Sequence, residues 1–179
     1  MKEIIVAAEI SMDGVVNNPE MFPEIFKYHT EDVQDYLDKL LYSAEALLVG
    51  RHTYEGFAAV WPTRKGEMAD YINKMPKHVA SRTLKEPLSW NSKLIQGDVV
   101  EEIRKLKQMD GKALVQYGVG ELTRTMLDHG LVDKFQLLVF PFTFGKGGRW
   151  FDGMDLKRFN LIECKTYKSG AVLLRYGQV

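Results

Sequence analysis

Apolar residues along this chain follow two rhythms. Short segments at 4–10, 46–49, 77–81, 92–96 and 112–117 and a long apolar one at 134–144 read as strands, the first of them buried. Between them, apolar residues recur at helical spacing, as with Val33, Leu37, Leu40 and Leu41 in EDVQDYLDKLLYSAE. Thr30 precedes that helix as the predicted N-cap, with Glu31 and Asp32 in the first turn. A second helix follows Gly50 to about residue 60, where Trp61-Pro62 ends it. A short helix is predicted over 66–75. Asp98 caps VVEEIRKLKQM, which Asp110-Gly111 closes, and Gly130 ends ELTRTMLDHG. Ser11-Met12-Asp13-Gly14 breaks the first strand, and a loop is predicted through Pro23. Segments 161–168 and 171–176, joined at Ser169-Gly170, read as a C-terminal hairpin.

Strand–helix alternation followed by antiparallel strands predicts an α/β fold. Its central sheet is mostly parallel and flanked by helices, with an antiparallel hairpin at the end. No linker or repeat divides the 179 residues, so residues 1–179 read as one domain.

Charge and cysteine content narrow the function classes. Lys+Arg and Asp+Glu are equal at 24 each, which offers neither a nucleic-acid arm nor a membrane-surface patch. The first apolar run is short and interrupted by Glu9, and no stretch is long enough to span a membrane. With one cysteine, Cys164, no internal disulfide can form, and a reducing cytoplasmic setting is expected. Cys164 lies in the alternating stretch ECKTY and reads as a small packing residue. One Cys and four scattered His give no cysteine-based metal site.

Three strand ends carry residues suited to anions, and ligands of open α/β sheets sit at such ends. After the second strand, Gly50 permits close backbone approach at a helix N-terminus, Thr53 adds a hydroxyl and Arg51 a planar cation. After the third, Ser81-Arg82-Thr83 offers two hydroxyls and a guanidinium, which suits a ribose phosphate and so NADPH over NADH. The third is Gly118-Val119-Gly120, a glycine turn of the dinucleotide-binding type in which Thr123 takes the third glycine position. Each has a plain alternative as a turn or packing device. Together they outline one groove for a pyrophosphate-bearing ligand. Gly145-Lys146-Gly147-Gly148 lacks the phosphate-loop spacing and reads as a glycine-rich turn. Phe140, Phe142, Phe144, Trp150 and Phe151 read as one aromatic cluster in the core, with part available as a dimer face.

Five stretches carry a resemblance to a known family: Ser11-Met12-Asp13-Gly14, LLVGRHTYEGFAAVWP at 47–62, KHVASRT at 77–83, QYGVGELTRTMLDHGLVDKFQLLVFP at 116–141, and Gly145 to Phe151. The set resembles the dihydrofolate reductase fold. More closely, it resembles the family of the C-terminal reductase domain of the riboflavin-biosynthesis deaminase-reductase. That resemblance implies NADPH as cofactor and hydride transfer to a C=N or C=O bond of a small heterocyclic or ribosyl substrate, similar to 5-amino-6-(5-phosphoribosylamino)uracil reductase. It places the phosphates at Gly50, Arg51, Thr53, Ser81 and Arg82. Further cofactor contacts fall at Ala8 and at Gly118, Val119, Gly120, Glu121 and Leu122. It sets nicotinamide and substrate beside Asp13, with Asp32 in the helix that carries the substrate-binding carboxylate of dihydrofolate reductases, and it implies a homodimer. Gln116 stands where the riboflavin reductases carry a glutamate, so neither the pyrimidine intermediate nor dihydrofolate is the expected substrate. Two other readings stay open: a non-enzymatic nucleotide-binding or dimeric interaction module keeping the fold, and a true dihydrofolate reductase.

Overall fold

The structure, a computed structural model, describes residues 1–16 and 18–178. The elements run β1 (Ile4–Ser11), α1 (Phe22–Ile25), α2 (Glu31–Ser43), β2 (Ala44–Gly50), α3 (Arg51–Val60), α4 (Glu67–Lys74), β3 (Lys77–Ala80), β4 (Ser92–Leu94), α5 (Val99–Gln108), β5 (Ala113–Tyr117), α6 (Glu121–Asp128), β6 (Lys134–Phe140), β7 (Phe159–Thr166) and β8 (Val172–Gln178). The sheet order is β4-β3-β2-β5-β1-β6-β8-β7. The first six strands in this order are mutually parallel; β8 runs antiparallel to β6, and β7 to β8. This is the mostly parallel α/β sheet with an antiparallel C-terminal hairpin that the patterning predicts.

Period-two alternation sends the side chains of the central strands to two apolar layers. Ile5, Ala7, Leu47, Val49 and Val115 meet Val33, Tyr36 and Leu40 of α2, Tyr54 of α3 and Ile72 of α4. Ile4, Val6, Leu48 and Leu114 meet Ile103 of α5 and Leu122 and Met126 of α6. Burying each such large side chain contributes about 1.5–3 kcal/mol. Since β1 is buried on both faces, its run is continuously apolar until Glu9.

Several local expectations are corrected. The loop predicted through Pro23 includes Asn17, which lies outside the described residues. Its later part is not loop: helical turns Pro19–Met21 and Phe26–Tyr28 flank α1. Thr30 holds the N-cap position of α2, but its hydroxyl does not cap the backbone. It donates to Asp32 Oδ1 at 2.6 Å, and that carboxylate accepts from Val33 N–H at 3.2 Å. β6 stops at Phe140 rather than reaching 144, because Pro141 brings no N–H to the ladder. Cys164 is exposed, not packed, since β7 is an edge strand. The five aromatics do not form one cluster. Phe140 stacks with Phe142 on the α2 side, whereas Trp150 and Phe151 pack with Phe135 and Phe159 on the opposite face.

One buried charge fixes the β3 side of the sheet. Lys77 is fully buried, and its ammonium donates to the carbonyls of Ile72 and Asn73 at the end of α4. The same group lies 3.9 Å from the centroid of the Trp90 ring. The lysine thus satisfies last-turn carbonyls that α4 cannot pair internally. Burial holds its pKa down to about 8 from 10.5. Across that window the unfolded chain keeps the proton and the folded chain does not, so stability rises with pH. Urea titrations should show this rise for the wild type and its loss in Lys77→Met. The variant should also lose about 1–3 kcal/mol at neutral pH, since the two carbonyls lose their donor.

Candidate active site

Parallel pairing of β3, β2, β5 and β1 brings four carboxyl ends to one edge of the sheet. α3 starts at Gly50, with no side chain capping its first turn. Gly50 has φ −78° and ψ 166°, a backbone any residue adopts, and a Cβ built there meets nothing within 4 Å. Gly120, at the start of α6, is likewise extended and open. Neither backbone strain nor packing within the chain calls for glycine at these two positions. What a Cβ would fill is the space directly over two helix N-termini, where a bound phosphate would lie. The donor set and the open cradles therefore fit a dinucleotide.

Charged side chains stand around these cradles. Arg51 is partly exposed and turned along α3, toward Glu55 at 3.5 Å and His52 at 3.2 Å. Thr53 is partly exposed in the same turn. Ser81 Oγ accepts from the N–H groups of Thr83 at 3.2 Å and Leu84 at 3.1 Å, which fixes the turn after β3. Arg82 reaches over the end of β2 to pair with Glu121 of α6. The first, second and third strand ends picked out in the sequence are therefore neighbours in space.

The glycine turn is held from below. Gly118 has φ +77°, the left-handed region that favours glycine, and its N–H donates to Ala7 O at 2.9 Å. Thr123 Oγ1 accepts from Gly120 N–H at 3.1 Å and from Gln116 Nε2 at 2.7 Å. The residue in place of a third glycine thus ties the turn to α6. A hydroxyl three residues into a helix signals this in the sequence. Gln116 is buried beneath α6, and its Oε1 has no partner among the described residues. Ala8, Val119 and Leu122 are buried in the α5–α6 layer, so a ligand in the groove would meet their backbone rather than their side chains.

The two expected carboxylates serve the framework. Asp13 accepts from Ser11 Oγ at 2.6 Å, Phe144 N–H at 3.0 Å and Gly145 N–H at 2.9 Å. Those hydrogen bonds, the Ser11 hydroxyl first, pull its pKa down to about 2. It is an anion at neutral pH with no proton to give. Its main-chain carbonyl also accepts from Arg149 Nε at 2.9 Å. Gly147 closes this arrangement, because a Cβ there would come within 3.0 Å of Val15 and Asn18. Asp32 accepts from Thr30, Val33 and, at 3.0 Å, Lys168 N–H, so it pins the β7–β8 turn to α2. The Thr30 hydroxyl foremost holds its pKa low.

A different carboxylate stands at the open end of β1. Glu9 shares the α2 face with Ala7 and Tyr117, and its Oε1 lies 2.5 Å from His29 Nε2. The His29 ring stacks on Phe140 at 6.0 Å and meets Phe26 edge-on at 5.5 Å. Burial raises the pKa of Tyr117, with the Glu9 charge adding to it. The sequence signal was the single charge inside an otherwise apolar strand. Its histidine partner lies twenty positions away, beyond any local pattern.

The whole chain has known counterparts. Residues 2–173 match the family model described as the RibD C-terminal domain. The chain belongs to the RibD C-terminal domain family. It is 30% identical over 190 aligned positions to the uncharacterized protein YyaP of Bacillus subtilis, covering 98% of this chain and 94% of that protein. Its fold is similar to that of a putative riboflavin biosynthesis protein from Shewanella sp. PV-4, with TM-score 0.80, 20% identity and 99% of each chain covered. It is also similar to a diaminohydroxyphosphoribosylaminopyrimidine deaminase/5-amino-6-(5-phosphoribosylamino)uracil reductase from Thermotoga maritima. There the TM-score is 0.68 and the identity 17%, over 99% of this chain and 57% of that one. As a RibD C-terminal domain, the chain has the dihydrofolate reductase-like architecture that its motifs imply. No helix among its described residues is long and apolar enough to cross a membrane.

The Asp13 ties give a direct test. A carboxylate with a lowered folded pKa contributes stability above its unfolded value of 3.8 and loses it as pH falls toward about 2. Asp13→Asn should flatten acid unfolding over that window and speed amide exchange at Phe144 and Gly145, both read by hydrogen-exchange mass spectrometry and acid titration.

Proposed function

We propose that this chain is an NADPH-dependent reductase of a small heterocyclic or ribosyl substrate, working in the cytoplasm. The observation that carries this reading is the pair of open cradles at Gly50 and Gly120, with Arg82, two residues beyond the β3 partner of Gly50, paired to Glu121 beside Gly120. In it, Gly50, Arg51 and Thr53 hold the pyrophosphate, and Ser81 and Arg82 hold the ribose phosphate. The backbone from Gly118 to Leu122 lines the rest of the cofactor, with Ala8 beneath the nicotinamide. When bound, the cofactor supplies a hydride to a C=N or C=O carbon, and the protein supplies position and charge. The Thermotoga maritima protein carries the name of a reductase, which supports this reading through the shared family. The single cysteine fits a reducing compartment.

Arg82 exchanges its Glu121 partner for the phosphate on binding. The exposed pair costs little to break, about 0.2–1 kcal/mol, whereas a charge-assisted bond to phosphate contributes about 1.5–3 kcal/mol. NADPH should therefore bind more tightly than NADH by fluorescence titration. Arg82→Ala should weaken NADPH by about 10- to 100-fold and leave NADH nearly unchanged. Absence of binding of either cofactor at millimolar concentration would sink the proposal.

We also propose that the protein is a homodimer. The face of β6, β8 and β7 away from α2 carries an apolar hollow of about 330 Å³ lined by Leu137, Val139, Trp150, Phe151, Leu174 and Tyr176. Leu161 and Ile162, on β7, are 55% and 56% exposed. Hollow and protruding apolar groups on one chain suit a two-fold contact with a second copy. Sedimentation should give a dimer at micromolar concentration and a folded monomer for Leu161→Glu.

A further inference from the structure

We propose that His29 is the proton donor of the reaction and that Glu9 is the residue that positions it, an inference that rests on the reductase reading. Hydride addition to the carbon of a C=X bond breaks its π bond and leaves the electron pair on X, an oxygen or nitrogen. That pair must take a proton from a group within hydrogen-bond reach. Asp13 and Asp32 are held as anions by hydrogen bonds from the chain, so neither carries the proton. Among the described residues, the pair at the open end of β1 remains. Glu9 follows Ala8 directly, on the strand whose end lies beside the Gly118 turn.

The geometry assigns the two nitrogens of His29 separate tasks. Nε2 faces Glu9 Oε1 at 2.5 Å, which fixes the ring and keeps a proton on that nitrogen. Nδ1 has no hydrogen-bond partner among the described residues and is not among the buried unpartnered atoms. The ring plane is set by stacking on Phe140 and the edge of Phe26. In the reaction a C–H bond forms with the hydride, an X–H bond forms with the proton on Nδ1, and the cofactor leaves oxidised by two electrons. Solvent returns the proton to Nδ1, and Nε2–H stays on Glu9 throughout. Glu9 acts through His29 and not on the substrate.

The other polar groups facing the pair do not compete for this role. Tyr36 of α2 gives its hydroxyl to Gln136 of β6 at 3.0 Å, and burial raises its pKa. Tyr117 of β5 also has its pKa raised by burial. Tyr28, from the turn before His29, packs its ring on Phe140 and Phe142. The next charges out are already engaged: Arg175 of β8 pairs with Glu163, and Asp38 of α2 accepts from Gln34.

The test needs only the cofactor in its two redox states. Oxidised nicotinamide carries a positive ring and reduced nicotinamide does not, so a protonated His29 close by disfavours NADP⁺ alone. Dissociation constants for NADP⁺ and NADPH would be measured from about pH 5.5 to 8.5, the range in which an imidazole titrates. The ratio of NADP⁺ to NADPH dissociation constants should rise by about fivefold or more toward low pH in the wild type. It should be flat in His29→Gln, and its inflection should move in Glu9→Gln. By reciprocity, NADP⁺ should shift the His29 ring titration in the wild-type protein's NMR spectrum to lower pH, a readout that needs no variant to fold. If the wild type binds NADPH but the ratio is flat and the ring titration is blind to NADP⁺, the proton-donor assignment is overturned while the reductase reading stands. If neither cofactor binds at millimolar concentration, the reductase reading fails, and this inference fails with it.

Discussion

β1 is hydrogen-bonded along both edges, to β5 and to β6, and buried on both faces. A slip of one residue in either ladder would turn its whole set of side chains over. Ala8 would leave the α5–α6 layer and Glu9 would leave the aromatic pocket of His29. The residues that follow hang from the same strand. Ser11 is fully buried, accepts from Val15 N–H and orients Asp13, and Asp13 holds the loop after β6. The position of the candidate site thus follows from how one strand is fixed, and the helices above it complete rather than define it.

Much of this was legible because the chain's strong signals are local. Asp98 does accept from Glu101 N–H as a cap should, and the glycine turn leads directly into α6. The family and its dihydrofolate reductase-like fold were also legible in the five motifs. Where reading failed, the competing interaction was distant in sequence. Thr30 gives its hydroxyl to Asp32 because Asp32 is itself recruited by Lys168, which lies 136 positions away. Pro141 cut an apolar run that composition alone would extend. The five aromatics divided between two faces because β6 ends before the loop that carries Trp150 and Phe151. Glu9 and His29 meet only because the turns between residues 19 and 28 fold back over the end of β1.

Electrostatics around the groove are balanced rather than uniformly positive. Arg51 stands near Glu55, and Arg82 contacts Glu121. Each guanidinium is kept in place by a weak, solvent-exposed partner that a phosphate can displace. The anions Asp13 and Asp32 are bound by a hydroxyl and by main-chain N–H groups. Cations on exposed pairs thus stand beside carboxylates tied to the main chain, an arrangement that fits the proposed exchange of ligand.

Gly50 has one more consequence. Its backbone is ordinary for any amino acid and no atom of the chain approaches the space where a methyl would project. Gly50 stands at the N-cap of α3, where glycine leaves the first free N–H groups to water and is preferred over alanine. A serine there would turn its oxygen onto those N–H groups and stabilise the helix by only a few tenths of a kcal/mol. The bare backbone at the head of α3 thus keeps its donors uncommitted at almost no cost in stability.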